Sequence, residues 1–394
     1  MHIVVFSHLR WNFVYQRPQH LLSRLAARHP VWFVEEPWLD AGPAWLEVTE
    51  PAAGVTVLRP HTPVAATGFH DDQLAVVQGL LQAHIEEAGL GEHIVWFYTP
   101  MALPLMADLQ PRAVVFDCMD ELSAFRGAPL QLRQREAALL RRADLVLTGG
   151  PSLYEAKRHR HPNVLCLPSA VDAAHYAPAN LSAHPQAACE AQTLQGDLPR
   201  PRLGYFGVID ERLDIALLTA LADARPDWQF VIVGPVVKID EATLPRRPHV
   251  RWLGQQSYDL LPHLVAGWDV CLLPFALNEA TRFISPTKTL EYLAAEKPVV
   301  STPVQDVVDL YGDVVRVGGG IAAFVAACGA ALAESGSDAA TRVAQANARV
   351  AAYSWDRTVE RIEAAVAAAV SAADASAPSA GDGVPSAQAR SGSI

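Results

Sequence analysis

The chain has 394 residues, of which 51% are hydrophobic and 19% are charged, and its formal net charge is −11 at pH 7. This length exceeds what a single hydrophobic core usually organises, and it suits two α/β domains of ordinary size. The acidic balance argues against nucleic acid as a partner of the whole molecule, because nucleic acid attracts basic surfaces.

Cysteine usage and the N-terminus indicate the compartment. Five cysteines are dispersed without metal-like spacing, which favours buried thiols in a reducing environment. The N-terminus enters a strand pattern directly, without the charged segment and long apolar core of a signal peptide. The longest uncharged run, 317–333, is shorter than the roughly 20 residues that span a bilayer. We therefore expect a cytoplasmic protein.

Short apolar runs alternate with helical patterns along the first half of the chain. Strands are predicted at 3–7, 31–34, 94–98, 113–116, 145–147 and 164–167. Strands that are almost entirely apolar indicate a parallel sheet covered on both faces, and the intervening helices indicate right-handed βαβ units. We assign residues 1–176 to a first Rossmann-like domain.

The same pattern restarts after a segment rich in Pro, Ala and polar residues, 177–201, which we interpret as a linker. Strands are predicted at 202–207, 228–234, 250–253, 270–274, 298–301 and 314–317. We assign 202–354 to a second Rossmann-like domain and 355–371 to a helix that packs back on the first domain. Residues 372–394 are predicted to be disordered, because their composition cannot bury enough apolar surface. Two-domain dehydrogenases share this α/β outline.

The most informative stretch, 274–302, is predicted to run strand, polar loop, helix and strand. Ser285 is expected to cap the helix, with a proline in the first turn. The free N–H groups near Thr287 and Lys288 then face the carboxyl edge of the sheet, where open α/β sheets bind ligands. A helix N-terminus with a lysine suits a diphosphate. Glu291 lies on a neighbouring part of the same helix face, where a carboxylate can accept both hydroxyls of a ribose.

The motif Ser-Pro-Thr-Lys-Thr-Leu-Glu-Tyr-Leu-Ala-Ala-Glu-Lys-Pro-Val-Val-Ser-Thr, residues 285–302, resembles the donor motif of family-4-type retaining glycosyltransferases. The resemblance implies the GT-B architecture, in which two Rossmann-like doubly wound domains face each other across a cleft. It implies that Glu291 binds the nucleotide ribose as the last Glu of the family's Glu-x7-Glu pair. The first Glu of that pair falls at Phe283, so the family pattern is incomplete. Arg282 is a further donor-binding candidate beside this gap.

A second stretch, 203–214, ends a predicted strand in Gly207, which allows close approach of a phosphate to the backbone. The resemblance implies that Gly207 and Arg212 contact the diphosphate, although the usual second basic residue is missing. Gly234 ends the next strand in a turn that resembles the family's turn near the base. Lys288 and Arg212 are expected to stabilise the leaving diphosphate.

The first strand-to-helix loop, 7–20, is dense in side chains that serve sugars: guanidinium groups, amides and aromatic rings. Arg10, Trp11, Gln16 and Arg17 are candidates for acceptor binding, and packing of the aromatics under the loop is the alternative. The loop is similar to that of teichuronic-acid-biosynthesis-type glycosyltransferases, and this likeness extends over most of residues 1–320.

Two carboxylates, Asp117 and Asp120, follow a buried strand of the first domain. A clustered carboxylate can have a raised pKa and remove the proton of an acceptor hydroxyl, with Asp120 as the first candidate. Capping of the following helix is the alternative. The chain lacks the Asp-x-Asp pair with which metal-dependent glycosyltransferases hold a divalent ion. We therefore predict no metal site and no cofactor.

These observations predict transfer of a sugar from a nucleoside diphosphate sugar to a glycan or lipid-linked acceptor, with retention, in surface polysaccharide or glycoconjugate synthesis. Basic residues of the first half also predict peripheral contact with an anionic membrane, with solvated helix faces as the alternative. A non-hydrolysing nucleotide-sugar epimerase of the same fold remains open, as does a non-catalytic binding protein. A nicotinamide dehydrogenase requires a G-x-G-x-x-G motif, which neither candidate loop supplies.

Overall fold

The computed structural model describes residues 1–376 and contains two sheets, each covered by helices. The strands of the first sheet are β1 (His2–Ser7), β2 (Val31–Glu35), β3 (Trp38–Leu39), β4 (Trp45–Ala52), β5 (Val55–Thr62), β6 (His93–Phe97), β7 (Val114–Cys118), β8 (Leu145–Thr148) and β9 (Val164–Cys166). Their order is β3-β5-β2-β1-β6-β7-β8-β9, and β4 pairs antiparallel with β5 at the edge. All the other strand pairs are parallel. A parallel sheet is covered on both faces, and its strands therefore carry apolar side chains on both sides.

Helices connect the parallel strands of this sheet and cover it. They are α1 (Arg17–Leu25), α2 (Asp71–Ala88), α3 (Leu132–Arg142), α4 (Pro151–Lys157) and α5 (Ala173–Tyr176). Helix α1 has Pro18 in its first turn, and the Gln16 N–H donates to Gln19 Oε1 at 3.1 Å. Proline is tolerated in the first turn because the backbone N–H that it lacks would have no acceptor within the helix. These features fix the point at which the first loop enters α1.

The second sheet is entirely parallel, with strands β10 (Arg202–Phe206), β11 (Gln229–Val233), β12 (Val250–Trp252), β13 (Val270–Leu273), β14 (Val299–Ser301) and β15 (Arg316–Val317). Their order is β12-β11-β10-β13-β14-β15, so the sheet is doubly wound about β10. The remaining helices are α6 (Pro185–Gln195), α7 (Ile215–Ala224), α8 (Leu261–Ala266), α9 (Thr287–Ala294), α10 (Gln305–Tyr311), α11 (Ile321–Ala333), α12 (Gly336–Ala352) and α13 (Trp355–Ser376). The predicted α/β class with two doubly wound domains is confirmed.

Three parts of the chain differ from their predicted structure. The β3–β5 region was not predicted, because its strands carry polar residues and one lies on the sheet edge. The segment 177–201 contains α6, and Ala191 and Leu198 are buried in the second core, so it is more than a linker. Helix α13 continues to Ser376, so disorder predicted from 372 is wrong for the first residues of that tail. Residues 377–394 lie outside the described part of the chain.

The last helix, α13, packs on the first domain. Trp355, Ile362 and Val366 join the core that lies between α1 and the sheet. Trp355 is 1% exposed and stacks on His20 with a centroid distance of 4.7 Å. The chain therefore crosses between the two domains a second time, which fixes how they face each other.

We expect Trp355→Ala to lower the free energy of unfolding of the first domain by about 3–5 kcal/mol, because it removes a fully buried aromatic side chain. Urea unfolding followed by circular dichroism measures this change. The matched control is Asp356→Ala, whose side chain is 77% exposed and forms only a surface ion pair with Arg24. Equal effects of the two substitutions would show that the helix contributes nothing to the first core.

Candidate active site

A cavity of about 460 Å³ lies between the two domains. The first domain contributes the loop after β1, and the second contributes the ends of β10 and β11, the segment 255–258 and the start of α9. A second cavity of about 90 Å³ shares Gln16, Arg212 and Lys288 with the first. The loops that follow parallel strands form these walls, which is where open α/β sheets bind ligands.

Two glycines let the backbone come close to the cavity. Gly207 and Gly234 have φ values of 143° and 140°, which side-chain-bearing residues rarely adopt. A Cβ on Gly207 would collide with the Lys288 side chain, and a Cβ on Gly234 would collide with the Gly207 carbonyl oxygen. The end of the Lys288 side chain therefore lies in space that a side chain on Gly207 would fill, and the backbone conformations of both glycines disfavour other residues.

Helix α9 presents its N-terminus to both cavities, which Thr287 and Lys288 line. Within the described residues, the backbone N–H groups of Thr287 and Lys288 have no hydrogen-bond acceptor, whereas the Thr289 N–H donates to the Pro286 carbonyl at 3.2 Å. Free N–H groups at a helix start favour an anion. The predicted cap by Ser285 is wrong, because α9 begins after Pro286 without a side-chain cap and Ser285 lies on the wall of the smaller cavity.

Positive and negative side chains alternate around these N–H groups. Arg212 donates to both carboxylate oxygens of Asp210 at 2.8–3.1 Å, and this partner raises the pKa of Arg212 although burial opposes the shift. Burial lowers the pKa of Lys288. Burial also raises the pKa of Asp120, and Arg212 and Lys288 oppose that change. Cations of the second domain therefore face a carboxylate of the first domain across the smaller cavity.

Glu291 lies one turn further along α9 and lines the larger cavity. Its side chain is buried, with 7% exposure for the residue. Burial raises the pKa of Glu291 to about 7, and Lys288 acts in the opposite direction. The carboxylate is therefore a costly charge until a ligand supplies hydrogen-bond donors.

The structure places Asp117 away from both cavities, which corrects its assignment as a catalytic candidate. Asp117 is fully buried and accepts hydrogen bonds from Arg17 Nε at 3.1 Å on each oxygen. Arg17 also donates to the Leu167 carbonyl at 2.9 Å. This buried pair ties α1 to β7, and it leaves Arg17 on the wall of the smaller cavity with its charge neutralised.

Two other arginine candidates also lie outside the cavity walls. Arg10 donates to Glu35 at 3.3 Å and contacts the Glu36 carbonyl, so it anchors its own loop. Arg282 is exposed and lies 3.9 Å from Glu279, which contradicts a donor-binding position. The candidates that do line a cavity are Trp11, Gln16, Arg17, Asp120, Gly207, Arg212, Gly234, Ser285, Thr287, Lys288 and Glu291. Trp11 is mostly core, because its ring packs edge-on against Phe33 at 5.2 Å.

Sequence reasoning missed an aromatic stack beside the larger cavity. Tyr15 of the first domain stacks on Tyr258 of the second with ring centroids 4.5 Å apart, and Tyr258 stacks on His175 at 4.1 Å. Tyr15 and Tyr258 also line the cavity, and Gln255 donates to the Phe13 carbonyl across the cleft. Residues so far apart in the chain share no local pattern, so the sequence held no indication of this contact.

The predicted basic surface is smaller than the sequence suggested. Arg17 and Lys157 are buried, and Arg24, Arg28 and Arg135 form ion pairs with acidic side chains. In residues 1–376, no helix is long and apolar enough to cross a membrane. The same residues contain no group of three or more His, Cys, Asp or Glu side chains that could hold a metal ion.

The fold and the cleft define the class. Over 94% of this chain and 99% of the other, the structure matches sucrose-phosphate synthase from Thermosynechococcus elongatus with a TM-score of 0.70 and 17% identity. It matches Anabaena HepE in complex with UDP and glucose with a TM-score of 0.68 and 13% identity, over 93% of this chain and 100% of that one. The chain therefore has the GT-B glycosyltransferase fold.

The family match is more specific. Residues 200–334 match the model of the glycosyl transferases group 1 family. The chain is 28% identical over 231 residues to TuaH of Bacillus subtilis (strain 168), named as a teichuronic acid biosynthesis glycosyltransferase. The aligned region covers 54% of this chain and 56% of TuaH, so the chain spans about half the length of this curated relative.

We expect Glu291→Gln to stabilise the unliganded protein more at pH 8 than at pH 5, by about 2 kcal/mol. The folded pKa is raised to about 7, so the stability contributed by the protonated carboxyl is present at low pH and is lost as the pH rises through 7. Urea unfolding at both pH values measures the difference. Glu279→Gln, at a side chain that is 77% exposed, is the control and should show no such dependence on pH. Identical pH profiles for the two variants would contradict the burial of the Glu291 charge.

Proposed function

We propose that the protein transfers a sugar, with retention, from a nucleoside diphosphate sugar to a hydroxyl group of a glycan or lipid-linked acceptor. The observation that carries this proposal is the start of α9, where N–H groups of Thr287 and Lys288 that have no acceptor among residues 1–376 lie in the cleft with the Lys288 and Arg212 side chains. This combination suits a diphosphate, because helix N-termini and cations both favour phosphate oxygens. The synthesis of a surface polysaccharide or glycoconjugate is the proposed setting.

The nucleoside would occupy the larger cavity. Glu291 is placed to accept hydrogen bonds from the ribose hydroxyls, and Gly207 and Gly234 leave room for the diphosphate and the base. Hydrogen bonds from the ribose would offset the cost of ionising the buried carboxyl. The structural neighbour HepE, which was solved with UDP and glucose, supports a nucleotide in this cleft.

The reacting sugar would lie at the smaller cavity, between α9 and the first domain. As the bond from the anomeric carbon to the diphosphate breaks, negative charge grows on the phosphate oxygen beside Lys288 and Arg212. The acceptor oxygen would attack the anomeric carbon from the same face, and its proton would pass to Asp120. A carboxyl whose pKa is raised by burial is a better proton acceptor than an ordinary one.

A non-hydrolysing epimerase of the same fold is not favoured, because the family model and the curated relative are both named for glycosyl transfer. The deciding experiment incubates the protein with a panel of nucleoside diphosphate sugars and measures thermal stabilisation, followed by product analysis with candidate acceptors by NMR. We expect stabilisation by one donor and a glycoside with the anomeric configuration of that donor. An epimerised nucleotide sugar as the only product would support the alternative.

Kinetic variants separate the roles of the two α9 side chains. Glu291→Gln should mainly raise the donor KM, by about 2–4 kcal/mol in binding free energy, because ribose contacts are the same in ground and transition states. Lys288→Ala should lower kcat by about a hundredfold or more, because it removes a cation aimed at developing charge. Steady-state kinetics with varied donor measure both effects, with Glu279→Gln as the control. Parent-like turnover by both folded variants would place the donor site elsewhere.

Catalysis is expected to proceed without a divalent ion, since helix N–H groups and two cations would neutralise the diphosphate. The measurement compares initial rates after exhaustive treatment with EDTA and after addition of Mg²⁺ or Mn²⁺, with unchanged rates expected. Loss of transfer with EDTA and its recovery with either metal would contradict the proposed phosphate site.

Peripheral membrane contact also stays a prediction, now limited to exposed basic residues such as Arg133 and Arg141.

A further inference from the structure

Two exposed tryptophans lie near His61 in the β3–β5 region of the first sheet. Trp38 is 50% exposed and Trp45 is 45% exposed, and neither ring lines the donor cavity. Strands β3 and β4 bring both residues opposite His61 of β5. We call Trp38, Trp45 and His61, with the adjacent Arg59 and Glu47, the aromatic patch.

Both indole rings are held in place by neighbours. Trp45 Nε1 donates to Asp40 Oδ2 at 3.1 Å, and its ring stacks on His61 with centroids 4.2 Å apart. Trp38 lies against the guanidinium groups of Arg10 and Arg59, whose central carbons are 5.5 Å and 5.2 Å from the ring centroid. The rings are therefore prepared platforms, and a ligand that stacks on them loses little conformational entropy on their account.

Hydrogen-bonding groups surround the two platforms. Glu47 Oε2 lies 2.9 Å from Arg59 Nη1 and 3.0 Å from His61 Nε2, and this contact with His61 lowers the pKa of Glu47. An apolar ring face next to carboxylate and guanidinium groups matches a sugar, which has an apolar C–H face and a rim of hydroxyls. The same set is less suited to an apolar partner, which would bury these polar groups without hydrogen bonds.

Strand β4 runs from the patch to the first-domain wall of the larger cavity. Pro51, near the far end of β4, lines that cavity together with Trp11. Pro51 is six positions after Trp45 along the strand, a distance of about 20 Å. Glu35 also joins the two surfaces, because it accepts the Trp11 N–H at 2.7 Å and the Arg59 Nε–H at 2.7 Å. A chain of several sugar units that leaves the cleft over the first domain and follows β4 would reach the two tryptophans.

Charge decides against an anionic lipid surface as the occupant. Arg10 and Arg59 contribute two positive charges, whereas Asp40, Glu47 and Glu35 contribute three negative charges. Membrane surfaces rich in anionic lipid attract clusters of lysine and arginine without interspersed carboxylates. The balance of this patch is therefore wrong for such a membrane and acceptable for a saccharide.

We propose that the aromatic patch is a binding subsite for the distal sugar units of an oligosaccharide or polysaccharide acceptor. This inference rests on the proposed glycosyl transfer, since it extends the acceptor path along the first-domain wall of the cleft, where Gln16 lines both cavities. It implies that the protein binds a chain of several sugars more tightly than a single sugar, by contacts remote from the reacting hydroxyl.

The test uses the full chain, the double variant Trp38→Ala/Trp45→Ala and the ring-preserving double variant Trp38→Phe/Trp45→Phe. Calorimetry measures binding of chitohexaose, maltohexaose and a hyaluronan hexasaccharide, and of the monosaccharides N-acetylglucosamine and glucose. We expect the parent to bind at least one hexasaccharide, with a Kd about tenfold or more higher in the alanine variant and largely restored in the phenylalanine variant. Leu130→Ala, at an exposed apolar side chain elsewhere on the first domain, should bind like the parent.

Absence of hexasaccharide binding by the parent, or equal binding by the alanine variant, overturns the proposal. Flotation with vesicles containing phosphatidylglycerol tests the other occupant, and loss of vesicle binding in the alanine variant alone would also overturn it. Stabilisation by UDP-glucose and other nucleotide sugars reports separately on the donor site. If no donor binds and no transfer occurs while the tryptophans still govern hexasaccharide binding, the proposed function fails and the subsite stands.

Discussion

The arrangement of the cleft depends on one steric constraint, the passage of the Lys288 side chain over the end of β10. A Cβ on Gly207 would occupy the space in which the end of that side chain lies, and a Cβ on Gly234 would collide with the Gly207 carbonyl oxygen. This contact places an ammonium group between the second sheet and Asp120 of the first domain. Arg212 adds a second cation, and the α9 N-terminus adds unpaired N–H groups. Together these three features favour an anionic ligand.

The cleft also buries oppositely charged side chains close to each other. Lys288 and Glu291 share one helix face. Burial lowers the pKa of Lys288 and raises the pKa of Glu291, so it favours the neutral form of each side chain. Each charge offsets part of the desolvation cost of the other, although an isolated pair of this kind seldom stabilises a fold. The cost is consistent with a binding site, where protein stability is commonly traded for function. Asp117 and Arg17 show the contrasting case, because their charges are fully paired and they serve the fold.

The sequence allowed prediction of those features that follow from local pattern. Apolar runs identified the parallel strands, and the Ser-Pro-Thr-Lys motif located α9 and its cavity-facing residues. The sequence did not distinguish the buried, structural Asp117 from Asp120, which lines the smaller cavity, because both lie at the end of the same strand. The position of Arg10 and Arg282 outside the cavity walls could not be predicted for a related reason. The direction of a loop side chain is set by its contacts in the folded protein. The Tyr15–Tyr258 stack joins two domains, and a contact between residues so far apart in the chain leaves no pattern in either local sequence.

Phe283 shows how the departure from the family motif alters the site. The side chain packs against the core of the first domain and lines a cavity of about 470 Å³ with Glu121, Arg133 and Arg160. The position that holds a carboxylate in the resembling family therefore contributes an apolar contact between domains here. A carboxylate at this point would lie near Glu121 and Glu136, which already share Lys157, and would lose the apolar contact that Phe283 makes with the first domain. The features of the cleft that favour an anion are then those of Lys288, Arg212 and the start of α9, whereas Phe283 contributes packing between the domains.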